Sequence, residues 1–358
     1  MSLDLTRPVE DLTADLVDIA SVSGDERAIA DAVQAALDAL DHLHVTRDGD
    51  SIIARTELGR SERVILAGHL DTVPLPTTPG ARGTVPGAWD GNTLYGRGTV
   101  DMKSGVAVQL ALAAALTEPN RDITYVFYDH EEVQADLSGL GRLVDHHREL
   151  LTDAVFAILL EPTDAAVEGG CNGTMRFRVS TTGKAAHSAR AWMGSNAIHA
   201  VAPVLSRLAG HTPATIEVEG LQYRESLNAV RIHGGIAGNV IPDSCEVEVN
   251  YRFAPSRSLD EAEAYVRALL EGFDVERTDA AAGARPGLDA PVAAAFVAAV
   301  GAQAKPKYGW TDVARFSALG IPAVNFGPGD ALLAHSDDEH VEADAVRACR
   351  DALTRWLA

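Results

Sequence analysis

Three runs of apolar residues in the first half of the chain each lead directly into acidic or histidine side chains. The runs are Val64–Gly68, Ile123–Tyr128 and Ala154–Leu160. Short, unbroken apolar runs are typical of strands that are buried on both faces, as in a parallel sheet. Because the carboxyl ends of parallel strands meet at one edge of a sheet, we expect the polar side chains after these runs to converge there.

Helical periodicity occupies much of the sequence around these runs. Helices are predicted over 9–19, 26–40, 104–117 and 290–304, and from about residue 343 onwards. Ser23 and Glu26 have the spacing of a capping box and are expected to start the second helix. A further short strand is predicted over 323–326. Helices that alternate with buried strands indicate an α/β domain.

The middle third of the chain has a different pattern. Polar and apolar residues alternate over Met175–Thr181, Asn228–Gly234 and Cys245–Phe253, and helices are expected over 196–208 and 259–270. Alternation with a period of two is typical of an antiparallel sheet with one exposed face.

The segment Ala280–Gly287 is rich in small and turn-forming residues and is expected to be a linker. We therefore predict an inserted domain over 175–282, within an α/β domain made of 1–174 and 283–358. A chain of 358 residues with 46% hydrophobic composition is long enough for two such domains.

The charge of the chain narrows the choice of partners. There are 51 acidic against 30 basic residues, a formal net charge of −21. This balance argues against nucleic acid and anionic membranes, and favours a small-molecule substrate. The N-terminal tract has neither a basic nor an apolar signal segment, so we expect a cytoplasmic protein. The three cysteines lack a CxxC pair and are expected to be structural thiols.

The residues around the strand ends indicate a two-metal hydrolytic site. Imidazole and carboxylate are the ligands of a borderline metal such as zinc, and a shared carboxylate holds two ions ~3.5–4 Å apart. The candidates are His69, Asp71, Asp101, Glu131, Glu132, Glu161 and His335. Asp71 is placed to fix the tautomer of His69. One member of the Glu131–Glu132 pair can bind metal while the other acts as general base.

Seven tracts carry a resemblance to a known family. They are Gly68–Pro74, Gly96–Gly105, Glu131–Glu132, Leu160–Pro162, Gly183–Ser188, Gly238–Asp243 and Ala334–His340. The chain resembles the di-zinc amidohydrolase and exopeptidase family that contains succinyl-diaminopimelate desuccinylase, acetylornithine deacetylase, aminoacylase and carboxypeptidase G. Within it, the tracts Glu168–Thr174 and Gly309–Phe316 are most similar to desuccinylases of actinobacterial type.

The resemblance implies a di-zinc exopeptidase-like catalytic domain with a mixed central sheet, and an inserted α+β ferredoxin-like lid that also forms a homodimer. It implies two zinc ions, with cobalt as a possible substitute, and a cis peptide between Asp101 and Met102. The implied ligands are His69, Asp101 and Glu161 for one ion and Asp101, Glu132 and His335 for the other. Asp101 would bridge the ions, Glu131 would be the base with Asp71 in support, and the partner's His187 would bind the oxyanion.

The expected reaction is hydrolysis of N-succinyl-LL-2,6-diaminopimelate to succinate and LL-2,6-diaminopimelate. We place Asn239, Arg252 and Arg315 among the substrate-binding residues, because guanidinium groups suit the three carboxylates of this substrate. The chain departs from many desuccinylases at Gly170–Thr174, which lacks their arginine-rich turn, and at Asp312–Phe316.

Three alternatives belong to the same family, namely acetylornithine deacetylase, aminoacylase and dipeptidase activity. Ordinary salt-bridging is the alternative role of the arginines. A hypothesis of another class is a catalytically silent metal-binding dimer, which would be expected to have lost Glu131 or a ligand. All of these residues are present.

Overall fold

The computed structural model describes residues 3–358, which form two compact units. The first unit contains the chain up to Gly169 together with Gly287–Lys305 and Arg315–Ala358. The second contains Gly170–Pro286 and Pro306–Ala314, so it is inserted into the sequence of the first. The roles of catalytic domain and lid stay predictions.

Both units mix helices and strands. The α-helices are α1 (Val9–Val17), α2 (Arg27–Asp38), α3 (Ser104–Ala115), α4 (Gly139–His146), α5 (Ala197–Ala200), α6 (Ala202–Ala209), α7 (Leu259–Leu269), α8 (Pro291–Val300), α9 (Val313–Ala318) and α10 (Ala343–Leu357). The strands are β1 (His44–Asp48), β2 (Ser51–Arg55), β3 (Arg63–His69), β4 (Ala88–Asp90), β5 (Thr93–Tyr95), β6 (Asp122–Tyr128), β7 (Phe156–Leu159), β8 (Val167–Gly169), β9 (Gly173–Thr182), β10 (Ala186–His187), β11 (Thr215–Val218), β12 (Leu221–Arg224), β13 (Ser226–Gly234), β14 (Val240–Ile241), β15 (Ser244–Phe253), β16 (Asp274–Ala281), β17 (Ala304–Pro306), β18 (Ala323–Asn325) and β19 (His340–Glu342).

An eight-stranded sheet runs through the first unit in the order β1-β2-β6-β3-β7-β18-β8-β17. The neighbours β6, β3, β7 and β18 are parallel, whereas β2 and β8 run antiparallel to β6 and β18. Every residue of β3, β6 and β7 is buried. The three apolar runs are therefore buried parallel strands in a mixed sheet, and the predicted α/β class is confirmed.

The start of α2 differs from the sequence prediction. Glu26, which precedes the helix, has helical torsion angles, and no side chain caps the N-terminus. The Ser23 hydroxyl instead donates to Asp71 (2.7 Å), and Glu26 accepts a hydrogen bond from the Gly24 backbone N–H (2.9 Å). The predicted capping box is wrong because both side chains bind other groups.

The second unit is built around a four-stranded antiparallel sheet with the order β13-β15-β9-β16. Buried and more exposed positions alternate along β9 and β15. The buried side chains, which include Phe177, Val247 and Tyr251, form one core with residues of α5, α6 and α7. The opposite face is polar, which confirms the predicted one-sided sheet.

The expected linker starts later than predicted. Ala280 and Ala281 belong to β16, where they pair with Met175 and Thr174 of β9. Their small side chains suggested a turn, but the backbone hydrogen bonds of the sheet extend the strand over them.

Two further observations concern the cysteines and the length of the helices. Cys171, Cys245 and Cys349 are all buried and free, as expected for structural thiols. Within residues 3–358, no helix combines the length and the apolar character that crossing a membrane requires.

Candidate metal centre

Three neighbouring parallel strands bring most of the predicted site residues to one edge of the central sheet. His69 is the last residue of β3, Glu131 and Glu132 follow β6, and Glu161 follows β7. Because β3 lies between β6 and β7, the side chains that leave these strand ends approach one another.

Asp101 reaches the same place from the turn Thr99–Lys103, which precedes α3. The peptide bond between Asp101 and Met102 is cis, as the resemblance implies. Asp101 Oδ1 lies 3.0 Å from His69 Nε2, and Asp101 Oδ2 lies 3.2 Å from His335 Nε2. One carboxylate thus faces two imidazoles through its two oxygens, which is the arrangement that a bridging ligand requires.

Two further carboxylates flank the imidazoles. Glu132 Oε1 lies 2.9 Å from His335 Nε2, and Glu161 Oε1 lies 4.0 Å from His69 Nε2. The five candidate ligands therefore fall into two overlapping groups that share Asp101. Each group contains one imidazole nitrogen and oxygens of two carboxylates.

The donor set fits a divalent ion of the zinc type. Two donor atoms bound tetrahedrally to one zinc ion at ~2.0–2.2 Å are separated by about 3.3–3.6 Å. The separations of 2.9 to 4.0 Å bracket this value. Ligand atoms of His69, Asp101 and Glu132 all lie within 4.8 Å of one another. Imidazole nitrogen combined with carboxylate oxygen is a suitable ligand set for such a metal.

Asp71 connects His69 to the glutamate pair. Its carboxylate accepts the backbone N–H groups of Glu131 (3.0 Å) and Glu132 (3.1 Å) and the hydroxyl of Ser23 (2.7 Å). Nδ1 of His69 lies 3.5 Å from this carboxylate and 3.0 Å from the backbone carbonyl of Asp71. The backbone carbonyl of Asp71 is thus closer to the ring than the carboxylate that the sequence pattern predicts as its partner.

The electrostatics of the site favour charged carboxylates. Burial alone would raise the pKa of Asp71, but the hydrogen bond and charge of His69 and the Ser23 hydroxyl lower it to about 2. The pKa of Asp101 is likewise lowered, because its hydrogen bonds to His335 and His69 outweigh its burial. Hydrogen bonds from His335 to Asp101 and Glu132 raise the pKa of that imidazole to about 10. Such a concentration of acceptors is suited to a cation.

A second buried carboxylate holds the turn that precedes the glutamate pair. Glu26 Oε1 accepts the backbone N–H of His130 (3.3 Å), so Glu26 and Asp71 together bind three consecutive N–H groups. The His130 ring contacts Asp129 (2.7 Å), and His130 has a φ of 57°. The sequence pattern predicts no role for Glu26 in the site. Its contact with His130 spans 104 residues of the chain, so no local pattern reveals it.

The predicted residues of the second unit lie on its surface. His187 pairs with Val240 across the short β10–β14 pair, and the carbonyl of Asn239, just before β14, accepts the Ser188 N–H (2.9 Å). Arg252 lies on the polar face of the four-stranded sheet, and its Nε donates to Asn250 Oδ1 (3.2 Å). His187 and Asn239 are exposed on the surface of the unit, whereas Arg252 is partly buried.

Arg315 belongs to the first unit, on α9. Its guanidinium donates to the Ala135 carbonyl (3.1 Å) in the loop that follows the glutamate pair. The substrate-binding role expected for Arg315 stays a prediction.

The sequence of the chain is similar to a known family and to several of its named members. The pattern of Peptidase family M20/M25/M40 matches residues 65–358. The chain is 51% identical over 358 residues to a Mycobacterium tuberculosis (strain H37Rv) protein named, provisionally, as the succinyl-diaminopimelate desuccinylase DapE; the match covers 99% of both chains. It is 43% identical over 367 residues to succinyl-diaminopimelate desuccinylase of Corynebacterium glutamicum, covering 99% of this chain and 98% of that protein.

Solved structures share the fold. An M20 family metallo-carboxypeptidase from Sulfolobus solfataricus, Sso-CP2, superposes with a TM-score of 0.80 over 98% of both chains, at 13% identity. The YXEP protein of Bacillus subtilis, described as a dinuclear metal binding peptidase of the M20 family, gives 0.70 over 98% of this chain and 96% of that chain, at 16% identity. The family pattern, the full-length relatives and the fold agree: the chain belongs to Peptidase family M20/M25/M40.

Proposed function

We propose that the protein is a metal-dependent amide hydrolase that cleaves N-succinyl-LL-2,6-diaminopimelate into succinate and LL-2,6-diaminopimelate. The observation that carries the hydrolase assignment is the shared position of Asp101 between His69 and His335, next to the Glu131–Glu132 pair. The full-length similarity to proteins named as desuccinylases supports the choice of substrate.

Two zinc ions, which cobalt could replace, are the proposed cofactors. His69, Asp101 and Glu161 would hold one ion, and Asp101, Glu132 and His335 the other. When bound, such ions acidify water and polarise the amide carbonyl. The residues of the chain fix where this happens, because His69, Glu132 and Glu161 lie at or after the ends of buried strands, and Asp71 binds the backbone of the glutamate pair.

Glu131 is the proposed general base. Adjacent residues of an extended segment point in different directions, so Glu132 can serve as a ligand while Glu131 faces the attacking water. Glu131 would take a proton from this water and deliver it to the departing amine. The backbone hydrogen bond to Asp71 keeps Glu131 in position.

His187 is the proposed oxyanion donor. Its Nδ1 accepts the backbone N–H of Ala189 (3.0 Å), so the proton of a neutral ring is on Nε2. The outward-facing nitrogen is therefore a donor, as binding of an oxyanion requires. We propose that it acts in the site of the partner subunit.

The edge of the second unit supports a homodimer. In the described residues, β13 pairs with β15 alone and so forms the edge of the sheet. Val230 and Ile232 on this strand are half-exposed or more (56% and 50%), and nearby Ile236 is 86% exposed. An edge strand with apolar side chains is suited to pairing with a second copy of the chain.

Arg252 is the proposed ligand of a substrate carboxylate. Arg178 and Arg231, on the same polar face, form ion pairs with glutamates (2.9 and 3.8 Å). Among the described residues, no carboxylate lies within ion-pair distance of Arg252, whose Nε is held by neutral Asn250. Its remaining N–H groups are thus available for bidentate binding of a carboxylate. Asn239 and Arg315 are proposed to assist in substrate binding.

Turnover of purified, zinc-loaded protein on a panel of N-succinyl and N-acetyl amino acids and dipeptides tests the proposal. We expect the highest kcat/KM with N-succinyl-LL-2,6-diaminopimelate. A preference for N-acetylornithine or a dipeptide would support the assignment as a hydrolase but contradict the assignment as a desuccinylase. Absence of turnover on the whole panel, with two ions bound, would favour the silent metal-binding dimer.

A further inference from the structure

One buried acid near the metal centre has no role in the mechanism described above. Glu339 lies in the loop between His335 and β19, and none of its surface is exposed. Its Oε1 accepts the backbone N–H groups of Val100 (3.0 Å) and Asp101 (3.2 Å). Its Oε2 accepts a hydrogen bond from buried Arg97 (2.6 Å).

These contacts join the segment of the proposed bridging ligand Asp101 to the segment of His335, which is a proposed ligand of one of the two ions. Glu339 follows His335 by a few residues, and it binds the turn that contains Asp101, more than 230 residues earlier in the sequence. The Gly96 N–H adds a second link, because it donates to the Glu339 backbone carbonyl (3.0 Å). The loop of His335 and the turn of Asp101 are therefore held to each other through one residue.

The turn needs such an acceptor. The first N–H groups of a helical turn have no partner within the helix. Asp101 and Met102 have non-helical torsion angles (φ −120, ψ 93 and φ −135, ψ 39), so regular helical hydrogen bonding does not hold Asp101 in place. An unpaired buried N–H group is costly, and the Glu339 carboxylate accepts two of them, that of Val100 and that of the bridging residue Asp101.

We propose that Glu339 is a positioning residue of the metal centre: by binding the N–H groups of Val100 and Asp101, it sets the distance between Asp101 and His335. Arg97 supplies the positive charge that keeps this buried carboxylate in its orientation. The inference rests on the proposed two-metal centre and adds a residue that binds neither metal nor substrate.

The variant Glu339→Gln keeps the shape of the side chain but changes its hydrogen bonding. Glutamine has one acceptor oxygen, so it cannot accept both the Arg97 guanidinium and the two N–H groups. We expect Co²⁺ affinity at one of the two sites to fall about 10–100-fold, as is usual when a group supporting a ligand is removed. We also expect the visible absorption spectrum of the cobalt-loaded protein to change, because the spectrum reports ligand geometry.

Glu225 provides a matched control in the second unit. This buried carboxylate also accepts hydrogen bonds from an arginine side chain, that of Arg257 (2.7 Å), and from a backbone N–H group, that of Ala254 (3.0 Å). Glu225→Gln should lower Tm as Glu339→Gln does, yet leave Co²⁺ affinity and the cobalt spectrum as in the unchanged protein. If both variants lower Tm and neither changes the Co²⁺ affinity or the cobalt spectrum, Glu339 is a structural residue and the proposal is wrong.

Two double variants keep the test valid if the single variant does not fold. Arg97→Met with Glu339→Gln and Arg97→Met with Glu339→Met both remove the ion pair, but only the first retains an acceptor for the two N–H groups. The first should bind Co²⁺ within about threefold of the unchanged protein, because the N–H groups keep a partner, whereas the second should bind more weakly. Equal affinities would overturn the proposal. If the unchanged protein itself fails to bind two Co²⁺ ions, the fault is in the proposed metal centre.

Discussion

The proposed site residues of the two units are held in different ways. In the first unit, the side chains that surround Asp101 are buried or half-buried, and carboxylates from distant segments bind their backbone. In the second, the side chains of His187 and Arg252 form hydrogen bonds to residues two positions away, and Asn239 accepts the Ser188 N–H through its backbone carbonyl. The first arrangement brings its proposed ligands together within one unit, whereas the second leaves donor groups of His187 and Arg252 available.

The difference has a physical reason. A metal centre must hold its ligands at fixed distances before the ions bind, and buried carboxylates bound to backbone N–H groups do this by removing freedom from the turns. Groups that bind an organic substrate need to stay accessible. We therefore expect changes around Asp101 in the first unit to act on proton transfer and metal binding, and changes in the second unit to act on oxyanion binding, on substrate affinity or on the dimer.

The largest effect is expected from Glu131→Ala. If Glu131 moves protons without holding metal, turnover should fall by roughly 10²–10⁴ or more while both ions remain bound. Steady-state kinetics on the best substrate of the panel and elemental analysis of the dialysed protein measure the two quantities. Loss of one ion per chain would instead make Glu131 a ligand and would require a new assignment for the pair.

The sequence predicts the strands of both units and the acidic residues at the strand ends, but not the residues that hold the turns between them. Buried parallel strands leave a clear pattern, and residues at their ends must converge; hence His69, the glutamate pair and Glu161 could be placed together from the sequence. Glu26 and Glu339 could not be found in this way, because each acts on a segment more than a hundred residues distant. The α2 capping box failed for a related reason, since Ser23 binds Asp71 rather than its own helix.

A mixing experiment tests whether the second unit completes a site in the partner subunit. Removing an oxyanion donor commonly lowers kcat by ~10²–10³, so His187→Ala and Glu131→Ala should each be nearly inactive. After subunit exchange, half of the dimers are mixed and have one intact site, which restores up to about a quarter of the normal activity. Mass spectrometry can show that mixed dimers have formed. If they have formed and no activity returns, His187 acts in its own subunit's site or has a structural role.

A smaller effect is expected from Arg252→Met. A charge-assisted hydrogen bond contributes ~1.5–3 kcal/mol, so KM should rise about 10–100-fold while kcat changes little. Arg178→Met is the matched control on the same face, because Arg178 already pairs with Glu276 (2.9 Å). Similar kinetics for the two variants would show that Arg252 does not bind substrate.

The smallest effect concerns the metal-free protein and its pH dependence. Hydrogen bonds to Asp101 and Glu132 raise the pKa of His335 to about 10, above the ordinary value of roughly 6.5 that an unfolded chain has. A pKa that is raised by folding stabilises the folded state fully below about pH 6.5, and this contribution is lost as the pH rises through about 10.

The variant His335→Gln cannot become charged. The Tm advantage of the unchanged metal-free protein over this variant should therefore be greatest near pH 6 and shrink towards pH 10. Because the ring is half-exposed, solvent screening keeps the difference modest. Loading with zinc requires the neutral imidazole, so this particular decline should be absent from the metal-loaded protein. An advantage that grows with pH in the metal-free protein would contradict the charged state that the contacts of His335 with Asp101 and Glu132 imply.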